Sequence, residues 1–291
     1  MSDTKRPPSG TGRRGRRVET GRRDPYFRAM SDRFSKDWFP SPEEPNPMRA
    51  AQAGMQPALP KRFYKEAAVE ERDGSFHLVL DGRTARTPSR HPLAVPTQAL
   101  GQAVADEWAR QGDEIDPGTM PITRLVNSAI DGVSARREEV VDDLVKYAGS
   151  DLICYRAAEP DRLVRAQNAA WNPVLDWISK THGARFVLAE GLMHVAQPAT
   201  ATAAIRAALG AIRSPFQLAA LHVMTTLTGS VLIALAHVGG RLDADQAWAA
   251  AHVDEHHQES VWGEDYEAMM RRRSREADFK AASRVFALGA Q

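Results

Sequence analysis

The hydrophobic pattern changes period twice along the chain. Up to about residue 57 the apolar side chains follow no period, and Pro, Gly, Arg and Ser prevail. Such a segment buries too little surface to offset the entropy of ordering it, so residues 1–57 are expected to be a disordered tail. Within it Phe34, Trp38 and Phe39 form a small apolar island. From residue 58 to 97 strand formers alternate with turn signals. Lys61 to Lys65 reads as a first strand. Arg72-Asp73-Gly74-Ser75 reads as a hairpin turn, because Gly supplies the positive φ that a tight turn requires. Phe76 to Leu80 is the second strand, Asp81-Gly82 another turn, Thr84 to Thr87 a third strand, and Leu93 to Val95 an edge strand. Pro88, Pro92 and Pro96 limit further pairing. The expectation is a small, twisted antiparallel sheet that must pack on the helical remainder of the chain to be stable.

From residue 98 to 291 helical spacing dominates. Residues 97–111 place Leu100, Ala103, Val104 and Trp108 on one face. Short helices follow over Thr123–Val133 and Ser134–Ala148. Asp161–Lys180 carries Pro173, which should kink that helix or mark a joint. Phe186 to Glu190 is either a strand or the entry to the next helix, which is Ala-rich over Thr200–Ala211. Ser214 to Gly240 contains no Asp, Glu, Lys or Arg. It is long enough to span a bilayer, but Gln217, His222, Thr225, Thr226, Thr228, Ser230 and His237 interrupt it and flanking Trp and Tyr anchors are missing. One central, buried helix is therefore expected, with Gly229 at a bend or close approach. After Trp262 an Arg-rich exposed helix is expected to rest Phe279, Val285 and Phe286 on the body. The class is α+β: a small N-terminal antiparallel β domain followed by a larger α-helical bundle.

Composition narrows the function only by exclusion. The 291 residues are 43% hydrophobic and 26% charged, with net charge +1, so nothing global favours nucleic acid. Arg pairs between Arg13 and Arg23 could touch RNA or anionic lipid, yet a solvated tail is the simpler reading. The single cysteine, Cys154, sits in an apolar run and reads as a small core residue in a reducing compartment. The tail lacks the apolar region of a secretory signal, and its glycines and prolines spoil the amphipathic helix of a mitochondrial leader. Phosphate loops, dinucleotide fingerprints and nucleophile elbows are absent from the sequence. Glu138-Glu139 and Asp142-Asp143 read as a solvated helix face. No catalytic residue and no cofactor are assigned.

One stretch does carry candidate chemistry. Ala247 to Asp265 reads as a single helix, started by Asp243 as cap with Gln246 completing a capping box. At 100° per residue, Asp254 and Gln258 fall on a side otherwise made of Ala247, Ala250, Ala251, Val261 and Trp262, with Glu255 at its margin. A helix that only packed would carry Leu or Ile there. The opposite side holds His252, His256 and Glu259. The i, i+4 spacing of His252 and His256 could serve a metal, with His257, Asp254, Glu255 and Glu259 nearby, and a metal-dependent hydrolase is the alternative function. There is no HExxH, however, and no metal ligand is assigned.

Several segments, in order from about residue 60 to 265, together resemble the assembly chaperones that act on the alpha subunit of the F-one sector of ATP synthase. They are Arg62-Phe63-Tyr64-Lys65; Leu80-Asp81-Gly82-Arg83 with Thr87-Pro88; Glu107-Trp108 with Gln111; and Met120-Pro121 with Thr123. Ala129-Ile130-Asp131 and Asp151 with Tyr155 come next. The last are Leu163, Gln167, Trp171, Pro173 and Trp177, then Glu255, Gln258 and Trp262-Gly263. The resemblance implies a β-containing domain followed by an orthogonal helical bundle, and a non-enzymatic, ATP-independent chaperone. It implies a partner, the unassembled alpha subunit, whose beta-facing surface is covered until the hexamer forms. It places the important acidic residue in the last conserved helix, at Glu255 or the neighbouring Asp254, with Gln258 and Trp262 beside it as partner-binding residues. His256 and His257 stand where an acidic and an aromatic residue are usual. The protein is then expected to be monomeric when free, without nucleic acid or stable membrane insertion. It would be cytoplasmic in a bacterium or in the mitochondrial matrix of a eukaryote.

Overall fold

The sheet starts from two tight turns. In the computed structural model, which describes residues 59–191, 195–263 and 265–290, Asp73-Gly74 and Asp81-Gly82 all take positive φ, between 48° and 77°. Each turn reverses the chain in two residues, as a twisted hairpin demands. Strands β1 (Ala67–Arg72), β2 (Ser75–Leu80) and β3 (Arg83–Thr84) therefore pair in sequence order, and β4 (Ala94–Val95) pairs with the start of β2. The predicted tail, residues 1–57, and its apolar island lie outside the described residues.

The first predicted strand is displaced. Residues 61–65 pair with nothing but a single bridge from Lys61 to Glu114, and the strand begins at Ala67. The reason is Arg62. Its guanidinium donates to the carbonyls of Tyr64, Lys65 and Gln111 at 3.0, 2.9 and 2.5 Å. The Tyr64 hydroxyl donates to the Trp108 carbonyl at 2.7 Å. The segment is thus stapled across the end of the next helix instead of joining the sheet.

Ten α-helices complete the chain among the described residues. Helix α1 (Gln98–Ala109), capped by Thr97, lies close on the sheet: a Cβ at Gly101 would stand 3.0 Å from Val69 and 3.3 Å from Phe76. Helix α2 (Pro121–Ser128) runs into a π turn at Ala129–Val133, then α3 (Arg137–Gly149). Helix α4 (Asp161–His182) passes through Pro173 as one helix, so no joint forms there, and ends at Gly183 with φ 69°. Of the ambiguous run 186–190 only β6 (Ala189–Glu190) is strand, paired in parallel with β5 (Tyr155–Arg156). Helix α5 is Ala199–Ala211.

The charge-free stretch is two helices, α6 (Pro215–Thr228) and α7 (Val231–Val238), not one. Gly229 takes φ 69° and closes the first; the Ser230 hydroxyl accepts from the Ile233 N–H and opens the second. Both are largely buried, and among the described residues no helix is long and apolar enough to cross a membrane. The C-terminal helix, α10 (Tyr266–Leu288), rests on the body through Phe279 and Val285 as expected. Phe279, Ala282 and Val285 are fully buried against α6, and Thr97 and Ser214 donate to its last carbonyls, at Leu288 and Gly289, at 2.6 Å each. Asp143, read as solvated, is likewise buried, 3.0 Å from His222 Nε2. Cys154 is wholly buried, and burial pushes its thiol up, as suits a core residue.

Buried carboxylates tie these elements together. Glu107 accepts from the Ile122 and Thr123 N–H groups and the Thr123 hydroxyl at 2.7–2.8 Å, capping α2. Asp151 accepts from the Ile153 and Leu232 N–H groups at 3.3 and 3.1 Å, so it caps α7 from a distance. Burial outweighs these bonds and raises the Asp151 carboxyl from its ordinary 3.8 to about 7. A raised folded value means that the neutral form stabilises the fold. That stability is complete below pH 3.8 and is lost as pH rises through about 7. Wild-type protein is therefore expected to lose a few kcal/mol between those limits relative to the trend of Asp151→Asn, whatever the variant's absolute stability. Urea midpoints measured at half-unit pH steps check this; parallel curves would refute it.

Candidate functional site

The stretch predicted as a single helix is broken at His252. Helix α8 (Ala244–Ala251) opens with the expected capping box of Asp243 and Gln246, and α9 (Val253–Trp262) starts anew. The cause lies in two carbonyls. A continuous helix would bond the carbonyls of Trp248 and Ala250 to the N–H groups of 252 and 254. Instead His252 Nδ1 donates to the Trp248 carbonyl at 2.8 Å, and the Trp171 indole donates to that of Ala250 at 2.6 Å. With both acceptors taken by side chains, His252 leaves helical geometry at φ −116°, ψ 26°.

The predicted histidines differ in environment. His252 is buried, with its ring centroid 4.0 Å from that of Trp248, and burial lowers its pKa. His256 is exposed. Among the described residues no group of three or more His, Cys, Asp or Glu is placed to hold a metal ion. Glu259, grouped with the histidines in the sequence, instead forms a two-pronged ion pair with Arg272 at 2.8 and 2.5 Å, and that bond lowers its pKa. The pair ties α9 to α10.

The four predicted partner-binding residues are brought onto α9 but not to one purpose. Glu255, Gln258 and Trp262 lie at i, i+3 and i+7 and share a face. Glu255 is half-buried, and among the described residues no hydrogen bond or ion pair ties it. Gln258 is exposed, and Trp262 is 85% exposed. Asp254 is turned elsewhere: its carboxylate accepts from Gln167 of α4 at 2.7 Å. Helix α9 has no buried residue at all.

Three further apolar residues lie around the same corner: Val261, which helical spacing already placed beside Trp262, and Tyr266 and Met270, which it did not mark, at 55%, 69% and 45% exposure. Gly263 makes the corner. Its φ of 86° with ψ of 169° belongs to a region that only glycine enters readily. The Trp-Gly pair was the available signal: an aromatic residue delivered by a glycine that stops its helix. Large apolar groups exposed together across a helix–helix corner, where one helix has no buried residue, mark a surface for another protein.

Such a body, with buried Glu107 and Asp151 spent on capping and aromatic groups displayed at one corner, is that of a protein-binding chaperone. A sequence model described as ATP12 chaperone protein matches residues 61–179. The mitochondrial protein atp12 of Schizosaccharomyces pombe is 26% identical over 220 residues, which are 72% of this chain and 75% of that one. The crystal structure of Atp12 from Paracoccus denitrificans superposes with a TM-score of 0.75 at 38% identity, over 79% of this chain and 99% of that one. A crystal structure of an Agrobacterium tumefaciens protein gives 0.77 at 44% identity, over 90% and 98%. The chain belongs to the ATP12 chaperone family, which supports a role in ATP synthase assembly.

Proposed function

We propose that this protein binds the unassembled alpha subunit of the ATP synthase F-one sector and covers its beta-facing surface until the hexamer forms. The observation that carries the reading is the α9–α10 corner. It displays Val261 and Trp262 at the end of α9, a helix with no buried residue, and Tyr266 at the start of α10. An interface core of aromatic groups with a polar margin has this make-up. Glu255 and Gln258 supply the margin, and Glu255 is poised to meet a basic group of the partner. The bacterial cytoplasm is the compartment proposed for this chaperone, and the free protein acts as a monomer.

Co-purification from the native cell tests the partner: alpha without beta should come down with the tagged protein. Glu255→Gln tests the site. It is expected to weaken capture of isolated alpha and its protection from aggregation, with an unchanged melting temperature. Equal protection by variant and wild type would remove Glu255 from the interface.

A further inference from the structure

Helix α4 grips the chain on both sides of the break at His252. Gln167 and Trp171 are one helical turn apart and share a face. Trp171 holds the end of α8 through the Ala250 carbonyl at 2.6 Å, and Gln167 holds the start of α9 through Asp254 at 2.7 Å. Ala250 and Asp254 are themselves four residues apart. The grips differ in kind. Helix α8 is additionally anchored by buried Ala247, Trp248, Ala250 and Ala251. Helix α9 has no buried side chain, so its pose depends on a few polar ties, chiefly Asp254 to Gln167 and Glu259 to Arg272.

Gln167 is also fixed from behind. It is buried, and its Oε1 accepts from the Ala157 N–H at 2.8 Å, which leaves its amide nitrogen aimed at Asp254. Arg156 next to Ala157 is buried too. It donates to the Ile153 carbonyl and to Asn168 at 2.9 and 3.1 Å, and its guanidinium lies 5.1 Å from the centre of the Trp171 ring. Asp254 thus meets an amide whose orientation is set by the Ala157 N–H.

We infer that Gln167 is a positioning residue: through Asp254 it fixes how α9 presents its exposed side chains to the partner. The inference rests on the reading of α9 as the partner surface, and the two are separable by experiment. Hydrogen exchange on the full-length protein at pH 8 reads the latch with no partner present. In Gln167→Glu the new carboxylate still accepts from Ala157 but faces Asp254 with like charge. The α9 amides are expected to exchange about tenfold faster or more, the weight of one charge-assisted hydrogen bond, while α6 amides keep their rates. Adding Asp254→Asn supplies a donor to the carboxylate at 167 and should return α9 to near its original rates. A general loss of packing would not be repaired in this way. Asp254→Ala, at a half-exposed position, loosens α9 even if a carboxylate at 167 prevents folding. Unchanged α9 exchange in both single variants, or no recovery in the double variant, overturns the latch. Affinity for isolated alpha subunit is then measured on the same set, and it should fall in Gln167→Glu and recover in the double variant. If exchange is unaffected while Trp262→Ala weakens binding, the latch fails and the partner surface stands. If α9 loosens and neither Gln167→Glu nor Trp262→Ala changes affinity, the partner surface fails.

Discussion

Glu107→Ala is expected to destabilise the protein by about 3–5 kcal/mol. Glu107 is 2% exposed, so water cannot replace what it supplies. Its two oxygens take the N–H groups of Ile122 and Thr123 and the Thr123 hydroxyl. Helix α2 begins with Pro121 and has no cap of its own, because Met120 offers no side-chain acceptor. Removing the carboxylate strands buried donors at the N-terminus of a helix, where the dipole also favours negative charge. For a chain of this size a loss of about 3 kcal/mol corresponds to roughly 10 °C in melting temperature. Glu107→Gln should fall between, since one amide oxygen remains while the NH2 opposes a donor. A melting temperature of Glu107→Ala within about 2 °C of wild type would show that α2 finds another cap.

The parts of the fold that sequence made legible are those governed by local chemistry. Asp73-Gly74 and Asp81-Gly82 fixed the hairpins because their positive φ values are a property of the residues themselves. The capping box at Asp243 and Gln246 is equally local. What escaped prediction depends on partners distant in sequence. The break at His252 needs Trp171 to reach the Ala250 carbonyl from 79 residues away. The division of the charge-free run at Gly229 is reinforced by Asp151, 81 residues from the Leu232 N–H that it accepts. The burial of Asp143 required knowing that His222 faces it. The family motifs behave in the same way. Asp81, Glu107, Gln111, Asp131, Asp151 and Gln167 all accept from backbone N–H groups or from side chains of other segments. These six of the residues that carry the resemblance therefore hold the fold, and they say little about where a partner sits. Glu255, Gln258 and Trp262 are different, because the fold of the described residues makes little use of them. The sequence could mark them as unusual on a packing helix. It could not show that Asp254 belongs with the structural group, because that depends on Gln167.

Trp262→Ala is expected to weaken binding of the isolated alpha subunit by about 30-fold or more while the melting temperature stays within error, because tryptophan at the centre of an interface commonly contributes about 2 kcal/mol or more. The two halves of this prediction come from one fact. At 85% exposure the indole contributes little packing to the free protein, so its loss costs the fold nearly nothing. Its whole worth must be realised when a partner removes it from water. The corner is also built to keep it there. Glu259 and Arg272 brace α9 against α10, and Gly263 ends α9 directly after Trp262. A titration followed by calorimetry gives the affinity, and the fluorescence of Trp262 should shift to shorter wavelength on binding, a change absent from the alanine variant. Binding within about twofold of wild type, with no such spectral difference, would place the alpha subunit on another face of the molecule.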